Sequence, residues 1–131
     1  MPKVVATSFA DLADLAAFKK CKAKGKTDEQ CFKVGDNGIG FTGLVCATEA
    51  RNYCALPSDV WKAKWGTKKN ASGKGVVVTI KGKKVVGKLG DTMPATKDIT
   101  NGAGIDLNPG FAKAFGLTPP LKISGVEWDW I

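Results

Sequence analysis

Carboxylates are the groups in this sequence best suited to proton-transfer chemistry. The chain has 131 residues, of which 12 are Asp or Glu, and it contains no histidine. The lack of histidine excludes Ser-His and Cys-His nucleophiles and the usual His-containing zinc sites. Acid–base catalysis would therefore depend on carboxylates, with Asp106 as the leading candidate and Asp91 or Asp36 as its helper.

Asp106 lies where a strand is predicted to give way to a short helix. An alternating strand that buries Ile105 and Leu107 would turn Asp106 to the opposite face, toward a groove or solvent. Asn108 is a good N-cap, and Pro109 suits the first helical position. The helix would carry an apolar stripe and end at a glycine: Phe111, Ala112, Phe115 and Gly116.

Two segments resemble motifs of the double-psi β-barrel domains. Residues 104–109, Gly-Ile-Asp-Leu-Asn-Pro, are similar to the I-D-L-(S/N)-P segment, and residues 75–80 with 85–94 are similar to a family strand followed by an Asp-x-x-Pro turn. Expansins, barwin-like proteins, family 45 endoglucanases and rare-lipoprotein-A-like lytic transglycosylases share this fold. The resemblance covers residues 33–131 and implies a mainly β protein with a six-stranded double-psi β-barrel.

This resemblance implies a cell-wall-glycan-active protein, most simply one that cleaves peptidoglycan or a related polysaccharide. Asp106 matches the general acid of the resembling enzymes, and Asp91 or Asp36 would assist it. Other members of the fold only loosen walls or inhibit proteases. Two alternatives therefore remain open: a non-catalytic expansin-like polysaccharide binder, and a protein-binding module such as a protease inhibitor or toxin. In the latter, loops 48–53 or 95–103 would insert into the partner.

Four further residues are candidates for substrate binding. Thr42 lies in the glycine-rich segment 34–43, which would contribute to the groove, although its Asp-Asn-Gly triplet is also an ordinary turn. Thr92 follows Asp91 directly. Trp61 and Trp65 are four residues apart and would share one face of a helical turn, either as a sugar-stacking platform or as core.

The N-terminal part of the chain is predicted to be helical. Residues 8–24 have amphipathic spacing, with Ser8 as N-cap and Asp11 completing an approximate capping box. Nothing in the resemblance requires this helix. We therefore expect a single domain, in which residues 1–32 are a helical extension and residues 33–131 are the barrel.

The remaining strands are predicted from alternation and turn residues. Residues 75–80 and 85–86 would form a hairpin around the turn Lys-Gly-Lys at 81–83, and Asp91 would lie in the next turn. Residues 121–131 would form the closing strand, with aromatic residues on one side and acidic residues on the other.

The four cysteines predict two disulfides. Cys21, Cys31, Cys46 and Cys54 contain no C-x-x-C pair, which argues against zinc or thioredoxin-type sites. Three pairings are possible, and we favour Cys21–Cys31 with Cys46–Cys54 because both close short loops. Disulfides would place the protein in an oxidising compartment, secreted or periplasmic.

The first residues lack the apolar core of a secretory signal, so the signal has been removed or export uses another route.

The net charge of +8 favours an anionic partner. All but one of the 20 basic residues are lysine, the exception being Arg51. Proteins that bind nucleic acids usually depend on arginine, so a polyanionic glycan such as a wall polysaccharide explains the charge better. A solvated lysine-rich surface without a specific partner explains it equally well.

No nucleotide-binding glycine motif, metal-ligand set or membrane-spanning run is present in the sequence, and we expect a monomer without a cofactor.

Overall fold

The computed structural model describes residues 3–27, 30–31, 40 and 44–131. Within them six strands are present: β1 (Val4–Ser8), β2 (Tyr53–Pro57), β3 (Gly75–Ile80), β4 (Lys83–Met93), β5 (Ala103–Leu107) and β6 (Lys122–Trp130). They pair in the closed order β1-β5-β2-β4-β3-β6, so the sheet returns on itself as a barrel. The pairs β1–β5 and β2–β4 are parallel, and the other four are antiparallel.

Short helices connect these strands. They are α1 (Leu12–Ala23), α2 (Ser58–Trp65), α3 (Lys68–Ala71), α4 (Pro109–Ala114) and a 3-10 turn (Thr96–Asp98). Among the described residues, no helix is long and apolar enough to cross a membrane. The predicted helix after β5 is confirmed as α4, because Asn108 is its N-cap, Pro109 begins it, and Gly116 follows it with φ 73°.

The N-terminal segment differs from the predicted helical extension. Residues 4–8 form β1, which pairs with β5 on one side and β6 on the other. Ser8 does not cap a helix; its Oγ accepts a hydrogen bond from the Leu121 backbone N–H over 3.0 Å. Helix α1 begins at Leu12 with Asp11 as N-cap. Strand β1 therefore belongs to the barrel although it lies well before residue 33. The helix begins later than the predicted residue 8, because Ser8 ends β1 and Ala10 has a non-helical φ of 58°.

The hairpin of β3 and β4 forms as predicted. Lys81 and Gly82 connect the strands with φ values of 50° and 82°, and two positive values are typical of a type I′ turn. The next predicted turn is wrong, because β4 continues through Asp91 to Met93. Pairing with β2 supports this extension, with Asp91 opposite Ala55 after a shift in register.

The barrel interior is filled by aliphatic side chains from every strand, with contributions from α2 and α4. Leu56, Leu89, Ile105 and Leu107 are fully buried there. Trp61 from α2 and Phe111 from α4 extend the same core cluster. The predicted closing strand is confirmed as β6, and its Val126 and Trp128 also enter the core.

One predicted disulfide is confirmed and the other is wrong. Cys21 and Cys31 are joined, whereas Cys46 and Cys54 are buried as thiols. Cys54 belongs to the main core cluster inside the barrel, whereas Cys46 lies in a separate cluster with Ala47 and Tyr53. The two thiols therefore pack in different clusters. Burial raises the pKa of the Cys54 thiol, with smaller contributions from Cys46 and Asp106.

Candidate functional site

Asp106 lies on the outer face of β5, as the alternation of the strand predicts. Its neighbours Ile105 and Leu107 are fully buried in the core, whereas Asp106 is half-buried. Thr7 is opposite Asp106 on β1, and the Thr7 hydroxyl donates a hydrogen bond to Asp106 Oδ1.

The segment 94–101 forms one wall of a pocket above Asp106. This pocket has a volume of about 290 Å³, and its lining is Thr7, Ser8, Met93, Pro94, Asp98, Ile99, Thr100, Asn101 and Asp106. Asp59 on α2 holds the segment, since it accepts hydrogen bonds from the backbone N–H of Thr96 over 2.8 Å and from its hydroxyl. The bond from the Thr96 N–H lowers the pKa of Asp59.

Asp91 and Asp106 are brought to the same outer face of the sheet. Ala55 on β2 pairs with Asp106 on one side and with Asp91 on the other, so the two aspartates are two strands apart. With strands about 4.8 Å apart, their Cα atoms are separated by about 10 Å. Asp91 Oδ1 accepts a hydrogen bond from the Thr92 N–H over 2.8 Å. The other predicted site residues, Asp36 and Thr42, lie outside the described residues.

The predicted sugar-stacking surface is not available. The Trp61 ring is 1% exposed, and its Nε1 donates to the Thr92 hydroxyl over 2.9 Å. Trp61 is therefore a core residue and cannot offer its ring to a sugar, whereas Thr92 is half-buried. Trp65 is half-buried, lies edge-on to Trp130 at 5.7 Å, and has Lys74 Nζ 4.6 Å from its ring centroid. Both tryptophans lie on α2, as their spacing predicts. Their rings pack against the protein core instead of forming an exposed surface for a sugar.

A second candidate site is the loop at residues 46–52, which is organised by Asn108. The Asn108 side chain is fully buried, and its Oδ1 accepts hydrogen bonds from the N–H groups of Phe111 (2.9 Å) and Tyr53 (3.0 Å). Its Nδ2 has two hydrogens and lies within hydrogen-bond distance of three carbonyl oxygens of the loop, so one hydrogen is shared: Cys46 (2.8 Å), Arg51 (2.9 Å) and Thr48 (3.2 Å). One amide thus caps α4 and fixes the loop backbone.

The same loop is packed against the first turn of α4. A Cβ placed on Gly110 would lie 1.9 Å from the Arg51 carbonyl oxygen, so only glycine allows this approach. Within the loop, the Ala50 N–H donates to the Thr48 hydroxyl over 3.0 Å. The side chains of Glu49, Ala50 and Arg51 nevertheless remain exposed. The loop therefore presents exposed side chains on a restrained backbone.

A pocket of about 280 Å³ lies between this loop and β4, lined by Ala50, Arg51, Asn52, Tyr53, Val86, Gly87 and Lys88. The Asn52 side chain donates to the Val86 carbonyl over 3.1 Å, and the Asn52 carbonyl accepts from the Lys88 N–H over 3.0 Å. We call the loop and this pocket together the 48–52 face. From the sequence, this loop is only one of two that could insert into a partner. The sequence does not show that Asn108 holds the loop, because Asn108 bonds to backbone carbonyl groups, which every residue has.

Comparison with known proteins supports the barrel. No family model matches the chain, and no curated protein sequence matches it significantly. Among solved structures, the chain is similar to a Streptomyces papain inhibitor, with a TM-score of 0.51 and 19% identity over 99% of this chain and 93% of that one. At this identity the likeness concerns the fold alone, and it does not support membership of the expansin family.

Proposed function

We propose that this protein is a protein-binding module that inhibits a protease, and that the 48–52 face makes the contact. The observation that carries this proposal is the Asn108 amide, which holds three loop carbonyls from the interior while Glu49, Ala50 and Arg51 stay exposed. A loop that is ordered before binding loses little conformational entropy on association, which favours tight inhibition.

The structural neighbour supports the same class of function. The Streptomyces protein is named as an inhibitor of papain, and it matches nearly the whole of this chain. A papain-type cysteine protease is therefore the first target to test. In this proposal the scaffold is a double-psi β-barrel, supported by the parallel pairs β1–β5 and β2–β4, and the Cys21–Cys31 disulfide suits a secreted protein.

Inhibition assays with a matched pair of variants test this proposal. Wild type is titrated against papain and then against proteases of other mechanistic classes. Ala50→Tyr places a large side chain on the loop, and Ala63→Tyr places the same side chain on exposed α2. We expect Ala50→Tyr to raise the inhibition constant about tenfold or more, which corresponds to about 1.4 kcal/mol, and Ala63→Tyr to leave it unchanged. Absence of inhibition, or equal effects of the two variants, would contradict the proposal.

The pocket above Asp106 favours a second candidate, a glycan-cleaving activity. Asp106 is half-buried beside Thr7, and Asp91 lies on the same face, so in this proposal Asp106 acts as the general acid and Asp91 is the second carboxylate. Mass spectrometry of products released from peptidoglycan, cellulose and chitin tests it. Release by wild type that is lost in Asp106→Asn would support this activity, and absence of release would eliminate it.

A further inference from the structure

The pocket of the 48–52 face combines an apolar floor with a cationic rim. Val86 is 60% exposed although it is a large apolar side chain, and Gly87 continues the floor beside it. Arg51 and Lys88 are both exposed and line the same pocket. A pocket of about 280 Å³ is large enough for a side chain of a partner protein.

The strand that lines this pocket is held by the loop on one side and by α4 on the other. Asn52 bonds to β4 on both sides of Gly87, through the Val86 carbonyl and the Lys88 N–H. A Cβ on Gly87 would lie 2.3 Å from the Phe111 ring, so the strand packs directly on α4. The pocket is therefore formed before a partner arrives, and its shape is set by the core.

The two cations of the rim are available for an incoming anion. Among the described residues, no carboxylate forms an ion pair with Arg51 or Lys88; the nearby pair joins Lys113 to Glu49 over 3.1 Å. A guanidinium binds a carboxylate through two parallel hydrogen bonds, and an ammonium adds a point charge. The methylene groups of an acidic side chain would lie on Val86.

We infer that this pocket binds an aspartate or glutamate side chain of the partner protein, with Arg51 and Lys88 on the carboxylate and Val86 beneath the aliphatic stem. The inference rests on the proposed function, since it names the partner group that the 48–52 face recognises. Opposite charges on the two surfaces would also accelerate association and make it depend on salt.

An NMR titration tests this inference without a protease. Labelled protein is titrated with acetyl-Leu-Glu-Leu-amide and, separately, with acetyl-Leu-Gln-Leu-amide. We expect the glutamate peptide to shift the backbone amide signals of Arg51, Val86, Gly87 and Lys88, and the glutamine peptide to leave them in place. Arg51→Gln/Lys88→Gln should weaken binding about tenfold or more, whereas Lys69→Gln/Lys122→Gln, which removes the same charge elsewhere, should bind as wild type.

The outcomes separate this inference from the proposed function. Equal shifts with both peptides, shifts spread over many lysines, or no shifts at all would overturn the acidic-group inference. If the glutamate peptide binds at the pocket but no protease is inhibited, the proposed function fails and the pocket assignment remains. If a protease is inhibited equally by wild type and Arg51→Gln/Lys88→Gln, the inhibitor function remains and the acidic-group inference fails.

Discussion

The side-chain amide of Asn108 donates to the Arg51 carbonyl oxygen over 2.9 Å, across 57 positions of sequence. The Oδ1 atom of the same side chain caps α4 at the Phe111 N–H. The start of α4 and the shape of the 48–52 face are therefore fixed by one side chain, and a change at Asn108 affects both.

Replacement of Asn108 by alanine should destabilise the protein strongly. The loss of the cap costs about 1 kcal/mol, and each buried backbone group left without a partner adds about 1–3 kcal/mol. We expect the free energy of unfolding to fall by about 3 kcal/mol or more in urea denaturation. Asn101→Ala is the control, because exposed Asn101 accepts one bond from the Ala103 N–H, and its cost should be about 1 kcal/mol or less. Equal costs would contradict the role of Asn108.

A methyl group at Gly110 should displace the loop. In Gly110→Ala the new Cβ would meet the Arg51 carbonyl at 1.9 Å, so the loop must move away from α4. We expect lower thermal stability and altered amide signals for residues 48–52. Gly75→Ala is the matched control, because its Cβ would meet Ile131 at an ordinary 3.4 Å. An unperturbed loop in Gly110→Ala would refute this close packing.

Truncation of Trp61 should affect stability rather than polysaccharide binding. Its ring is 1% exposed in the main core, so Trp61→Ala should lower the free energy of unfolding by about 3–5 kcal/mol. Trp65→Ala, at a half-buried position, should cost less. Denaturant unfolding gives both values, and pull-down with insoluble polysaccharide gives the binding. A folded Trp61→Ala protein that loses polysaccharide binding would restore the stacking hypothesis.

Thiol labelling should find two reactive cysteines in the unreduced protein. Under denaturing conditions without reductant, alkylation is expected at Cys46 and Cys54 only, because Cys21 and Cys31 are joined. Reduction before labelling should add two further sites, which peptide mass spectrometry identifies. Labelling of all four cysteines without reductant, or of none, would be inconsistent with the observed pairing.

Asp59 should make stability depend on pH in the acidic range. The Thr96 N–H lowers the pKa of Asp59, so the folded state favours the carboxylate more than the unfolded chain does. This contribution is fully present above the unfolded pKa of about 3.9 and is lost as pH falls through the lowered folded value. The stability difference between wild type and Asp59→Asn should be constant at neutral pH and shrink below about pH 4. A difference that persists unchanged into strong acid would exclude this linkage.

Local signals in the sequence predicted the elements whose contacts are close in the chain. The strand at Asp106, the helix start at Asn108 and the turn at Gly82 are confirmed, because capping and turn chemistry involve adjacent residues. The strand at residues 4–8 was missed, since its partners lie at the other end of the sequence.

Features that depend on which face of a strand a side chain occupies were harder to predict. Cys46 and Cys54 are close in sequence, but Cys54 packs in the main core and Cys46 packs in a separate cluster with Ala47 and Tyr53. For Trp61 the sequence left a stacking platform and a core position both open, and the structure buries its ring, with Nε1 bonded to the hydroxyl of half-buried Thr92. The placement of Asp106 was predictable because its buried neighbours, Ile105 and Leu107, define the face directly.

Strand β1 also determines the order in which the molecule can be completed during synthesis. Residues 4–8 are synthesised before the strands that flank them, β5 and β6, which begin at Ala103 and Lys122. Contacts between distant parts of a chain form slowly, and unpaired strands are exposed until they do. Strand β1 therefore lacks both of its neighbours until β5 and β6 have been made, and the ring of strands closes only with β6.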